Sequence, residues 1–220
     1  MPSGDIDVQT VDMTKYLEAM SEIKLRQEVI HNLSTGALFT KYNVPTIEVI
    51  GLQFRKIFEL IALASLSAHH KLYSQAYKDF ASHWRASKMI GNLRKINPNF
   101  YPHPIIQGPS DDPKIASEWS NRKDDFLTEA RLIDAHWRCG ALMHAANPYA
   151  KAIDYDSYAK NFKIWHEQFV NLLGCHTIQF PNDKILYLVQ MGAGKANPTI
   201  TLFTRLDGKN QTSFVPASSA

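Results

Sequence analysis

The sequence predicts a mainly α-helical protein: a helical bundle carrying a small C-terminal antiparallel β-hairpin or sheet. Three observations carry this expectation. Apolar residues recur at three- and four-residue steps through most of the first 173 positions, the period of amphipathic helices. After Gly174 the pattern changes to short β-rich runs separated by turn residues. Five of the eleven prolines, at 98, 102, 104, 109 and 113, crowd into one stretch between the helical segments.

Taken in order, residues 12–33 predict an amphipathic helix capped by Asp12, with Met13, Tyr16, Leu17, Met20, Ile23, Ile30 and Leu33 at helical spacing and Gly36 as its stop. Pro45-Thr46 opens a second helix to about Ser67, with Thr46 as cap and Glu48 favourable in the first turn. A third helical region covers 71–97, with a possible break near Ala86-Ser87. The proline-rich segment 98–113 reads as a long loop, because that proline density leaves no regular element. Residues 114–146 read as a long helix and 155–173 as another, ended by Gly174. Runs 177–180, 185–191 and 199–205 read as strands, with GAGKANP as the hairpin loop between the last two. The expected organisation is a flexible tail over 1–11, the bundle over 12–174, the sheet over 175–207 and a second tail over 208–220.

The bulk properties narrow the class. A chain of 220 residues, 45% hydrophobic and 20% charged, is long enough for a sizeable core. Two cysteines, Cys139 and Cys175, make neither a disulfide framework nor a zinc module. The acidic, polar N-terminus is unlike a signal peptide, and the most apolar run, 57–66, is too short for a membrane span. A cytoplasmic protein without a membrane partner is expected.

The second helix poses a local problem. Glu48, Leu52, Arg55 and Glu59 project to one face and Ile50, Phe54, Ile57 and Ile61 to the other. Arg55 and Glu59 are four apart and can pair along the helix. The stripe reads as an ion pair at a helix–helix seam, or as a polar patch at a groove or dimer face.

The run 69–95 carries six Lys and Arg against one acid, Asp79. On a continuous helix Lys71, Gln75, Lys78, Ser82 and Arg85 would form one stripe, able with Lys88 to neutralise successive phosphates of RNA or another polyanion. Pairing with the acidic stretch 111–134 is the alternative. The segment RLIDAHWRCGALMH, 131–144, concentrates Arg and His. Metal ligation by His136, Cys139 and His144 is disfavoured, since His136 and His144 point roughly 80° apart on a helix; no metal and no cofactor are expected. A histidine titrating near neutrality beside an arginine suits metal-free RNA cleavage, in which the ribose 2′-OH attacks its own phosphate. Arg138/His144, Arg131/His136 and Arg26/His31 have usable spacing.

Several long helices, the second reading LQFRKIFELI, together with an Arg-x4–6-His pair on a helix, resemble the HEPN superfamily over residues 12–146. The resemblance implies an RNA-binding protein, or a metal-independent endoribonuclease of a bacterial defence or toxin–antitoxin system. It also implies a homodimer whose Arg and His meet at the interface. It places the catalytic pair at Arg138 and His144, with Arg131 and His136 as second choice. The family favours a polar residue directly after the Arg; Leu132 and Cys139 depart from that, and Gln27 fits. The competing reading is a non-catalytic interaction module or assembly subunit that holds a protein partner through the proline-rich segment and a sheet edge. Gly192-Ala193-Gly194-Lys195 lacks the GxxxxGK[ST] spacing of a phosphate loop and reads as a hairpin turn.

Overall fold

A computed structural model describes residues 13–38, 40–78, 86–111, 117–145, 147, 149–181, 185–205 and 214–216. The first expected tail, most of the second and Arg85 lie outside the described residues. The fold is mainly α with an antiparallel sheet. Its helices are α1 (Thr14–Ser34), α2 (Asn43–Ala68), α3 (His70–Ala76), α4 (Ala86–Ile96), α5 (Glu129–Ala141) and α6 (Tyr155–Leu173). Its strands are β1 (His103–Gly108), β2 (Glu118–Asn121), β3 (Cys175–Gln179), β4 (Ile185–Gln190), β5 (Thr199–Arg205) and β6 (Phe214–Pro216).

The most apolar helix, α2, is the strut of the bundle and packs against α1, α4, α5 and α6. Ile50, Phe54, Ile57, Phe58 and Ile61 are buried along it, the face its periodicity predicts. Phe54 stacks on Phe162 of α6 at 5.1 Å and meets Trp165 edge-on at 5.8 Å. The helix begins earlier than expected. Pro45 sits inside its first turn, where a missing N–H costs nothing, and Thr46 donates its hydroxyl to the Tyr42 carbonyl instead of capping.

The helical region expected over 71–97 is interrupted after Ala76, ahead of the break expected near Ala86-Ser87. At the end of α2, His69 is buried, its Nδ1 donating to the Ser65 carbonyl at 2.8 Å and its Nε2 accepting from Asn97 at 2.9 Å. After a short α3, Tyr77 turns extended (φ −133°, ψ 104°) and packs its ring against Tyr73 at 4.9 Å. Lys71 and Lys78 therefore do not share a helix.

The proline-rich segment also departs from expectation, because β1 lies inside it. β1 pairs with β3 only through His103 and Pro104, then with β2 from Ile105 to Gly108. The partner changes at Pro104, which has no N–H to donate and whose carbonyl accepts from the Arg122 amide. The helix expected over 114–146 shortens accordingly to α5, because β2 and a connecting loop occupy its first half. The sheet order is β2-β1-β3-β4-β5-β6, every neighbour antiparallel, so strands also come from mid-chain and from the stretch expected as the second tail.

One sheet face, with Ile178, Tyr187 and Val189, joins the helical core. On the other, Gln190 donates to Gln107 at 2.7 Å and Trp119 of β2 meets Phe203 of β5 edge-on at 4.7 Å. Two strands so far apart in order touch only because the sheet curls. Among the described residues no helix is long and apolar enough to cross a membrane.

Candidate nucleic-acid interface

Helix α5 carries Arg131, His136 and Arg138 of the Arg/His pairs that the sequence singles out, and His144 follows its end. Thr128 caps it by accepting from the Arg131 amide, with Glu129 in the first turn and Arg138 in the last. Leu132, Ala135, Cys139 and Leu142 form its buried face. Gly51 of α2 lets Leu142 approach, and Gly140 of α5 lies beside the Arg55 guanidinium. With Glu59 bonded to His136, these contacts set α5 antiparallel to α2.

The charged stripe of α2 is a seam. Arg55 pairs with Glu59 at 3.2 Å, and Glu59 also receives His136 Nε2 at 3.0 Å. Glu48 accepts from the Tyr155 hydroxyl at 3.3 Å. These half-buried groups satisfy one another between α2, α5 and α6.

The paired residues diverge. Arg131 bonds Asp125 and the Phe126 carbonyl at the start of α5, while His136 points to Glu59. Five helical residues separate them by about 140°, and neighbouring acids hold each in place. Arg138 pairs with Asp134 at 2.9 Å on the exposed face, and exposed His144 lies past the end of α5. Arg26 pairs with Glu22 and donates to Gln53 at 2.9 Å, while His31 is exposed five residues further along α1. Among the described residues, no three His, Cys, Asp or Glu are grouped to hold a metal ion. Cys139 is buried beside the seam, its thiol pushed up to about 12 by burial.

Lys71, Lys78 and Lys88 are exposed. They follow the C-terminal end of α2, whereas the last turn of α5 lies beside Gly51 near its start. The 17 residues from Gly51 to Ala68 span about 25 Å. The basic run and the Arg138/His144 pair therefore sit toward opposite ends of the strut. The proline-rich segment lines a cleft of about 430 Å³ with Phe126 and Glu129, and the Glu129 carboxylate is held there by Arg94.

The arrangement around the end of α5 was not anticipated. No acid occurs between Asp134 and Asp154, while Arg138, His144 and Lys151 are exposed there. Trp137 is 77% exposed and Tyr149 97%. An Asx-turn fixes the Tyr149 backbone, the Asn147 side chain accepting from its amide at 3.0 Å. Tyr158 of α6 donates to the Arg138 carbonyl at 2.8 Å and ties the end of α5 down. Helical projection alone would have found Trp137, since it falls off the Leu132-Ala135-Cys139-Leu142 face.

Comparison with known proteins gives no match to a family model, to a curated protein or to a solved structure.

Proposed function

We propose that this chain binds single-stranded RNA through the outer face of α5 and the segment after it, residues 137–151. The carrying observation is the coincidence of two exposed aromatic rings with Arg138, His144 and Lys151 in a stretch free of acids. Exposed rings stack on bases of any sequence, and interleaved cations neutralise the backbone between them. The HEPN resemblance points to the same class of ligand. Binding is favoured over cleavage, because Arg131 and Arg138 are each spent on an acid and neither aims with its histidine at one point.

The test is a titration of the purified chain with an oligouridylate at low salt. Two or three phosphate contacts give a slope of log K against log salt near −2. Trp137→Ala should weaken binding about tenfold or more, leave thermal stability unchanged, and release no cleaved product. Absence of binding at low salt, or full affinity in Trp137→Ala, overturns the reading.

A second reading rests on the same face. Ala130, Asp134, Arg138 and Ala141 are exposed along α5. An antiparallel second copy would set Asp134 of each chain against Arg138 of the other, with the alanines giving room for Trp137. A homodimer in sedimentation that Trp137→Ala dissociates, without RNA binding, would favour this reading.

A further inference from the structure

The β4–β5 loop has the opposite polarity from a phosphate loop. Lys24 of α1 reaches across to it and donates to three main-chain carbonyls: Met191 at 2.9 Å, Gly192 at 3.0 Å and Ala196 at 2.5 Å. An ammonium has three N–H donors and no acceptor, so these carbonyls use all of them. The loop presents oxygens to a cation rather than amides to an anion. Lys24 has nothing left to offer a ligand.

The loop takes this shape through Gly192 (φ +70°) and Gly194 (φ +52°), a region that side chains with a Cβ rarely occupy. A Cβ at Gly192 would stand 3.0 Å from Ala196 Cβ and 3.2 Å from the Asn197 carbonyl, so the turn closes tightly there. The Ala196 amide closes the turn on the Ala193 carbonyl at 3.0 Å, and the Met191 amide anchors its start to the Gly174 carbonyl at 3.1 Å. Beneath it lies a cleft of about 530 Å³ between α1, α6 and the sheet, with Gln27, Phe169, Val170 and Leu173 as walls and Gly192, Ala193, Ala196 and Asn197 on its rim.

We propose that residues 191–197 are a strap closing this cleft, and that Lys24 is its latch. Of the two bonds just named, Ala196–Ala193 lies within the strap and Met191–Gly174 fixes only its first residue. Its three remaining ties all run to a single nitrogen on another element. Substitution by a side chain without a donor releases all three ties together, and acylation of the amine removes the charge and leaves one N–H for three carbonyls. The glycines then let the strap swing while the β4–β5 ladder from Gln190–Thr199 onward stays paired.

Lys195, exposed at the strap's tip, supplies the readout, because a protease such as trypsin draws an extended segment into its cleft and cleaves a released loop faster than a tied one. Native chain and Lys24→Met are digested side by side, and peptides that begin at Ala196, the product of cleavage after Lys195, are followed by mass spectrometry. Lys24→Met should be nicked after Lys195 at least about tenfold faster than the native chain, the scale expected for losing charge-assisted bonds. Cleavage at sites other than residue 24, where the substitution itself removes one, and the helical circular dichroism signal should be unchanged. Lys24→Arg keeps the charge, but its planar fork cannot aim at three converging carbonyls. It should fall between the two, and it decides the matter if Lys24→Met fails to fold. Equal nicking in the native chain and both variants, or faster cleavage spread over all sites, overturns the latch.

Discussion

His176 gives the fold a built-in acid limit. The side chain is fully buried at the start of β3. Its Nδ1–H donates to the Leu173 carbonyl at 2.9 Å, which leaves Nε2 to accept from the Tyr16 hydroxyl at 2.7 Å. The site is built for a neutral ring, and burial pulls the imidazole from its ordinary 6.5 down to about 4. The same burial holds the Tyr16 hydroxyl protonated far above its usual range, so it remains the donor. The unfolded chain takes up a proton near pH 6.5 that the native chain refuses until about pH 4. Protons bound in excess by the unfolded state lower stability as pH falls. At about 1.4 kcal/mol per pH unit, His176 costs nothing above pH 7 and about 3 kcal/mol by pH 4. His69, pulled down by burial as well, adds a cost of the same sign. The assay is urea unfolding followed by circular dichroism at pH 7.5, 6.5, 5.5 and 4.5 for the native chain and His176→Gln. The variant is less stable throughout, but its stability should fall less between pH 6.5 and 4.5. Tyr16→Phe, which leaves the buried Nε2 acceptor without a donor, should cost about 1–3 kcal/mol at pH 7.5. Parallel pH profiles for the native chain and His176→Gln would refute the argument.

Two further expectations concern the α2–α5 seam. A Cβ at Gly51 would stand 2.4 Å from Leu142 Cδ1, so Gly51→Ala forces that side chain aside and should lower stability by about 1–3 kcal/mol in urea unfolding. Glu59→Ala removes the acceptor shared by Arg55 and His136 and leaves two half-buried donors facing each other. It should cost about 1–2 kcal/mol, measured by the same assay, and equal stability would mean that the seam holds through apolar packing alone.

The helices were legible wherever a single apolar face decides the structure. α6 begins one residue after its Asp154 cap and runs to Leu173 as its period predicts, and α1 buries Tyr16, Met20, Ile23 and Ile30 as spaced. What was not legible depends on partners distant in sequence. β1 reads as loop because Pro102 and Pro104 veto a strand locally. It forms because His103 finds Thr177, and Ile105 to Gly108 find β2. The break at Tyr77 has no glycine or proline to announce it. At the site, spacing put Arg and His on one helix but not in one direction. Asp125, Glu59 and Asp134 set those directions, from a loop, from α2 and from α5 itself.

The pairing of the arginines bears on the proposed interface. Every arginine whose side chain is described is engaged by an acid: Arg26 by Glu22, Arg55 by Glu59, Arg94 by Glu129, Arg122 by Asp124, Arg131 by Asp125 and Arg138 by Asp134. A phosphate at 137–151 must therefore compete with Asp134 for Arg138. That competition is weak, because the two side chains are 47% and 58% exposed, and ion pairs this open are worth about 0–1 kcal/mol. Asp134→Asn removes the competitor and one repulsive charge while keeping the shape. It should tighten RNA binding up to about fivefold at low salt, with the gain fading as salt screens it. Unfolding in urea should barely change. If Arg138→Gln binds RNA as well as the native chain and Asp134→Asn binds no better, Arg138 is not a phosphate ligand, and the contact must rest on His144, Lys151 and the two exposed rings.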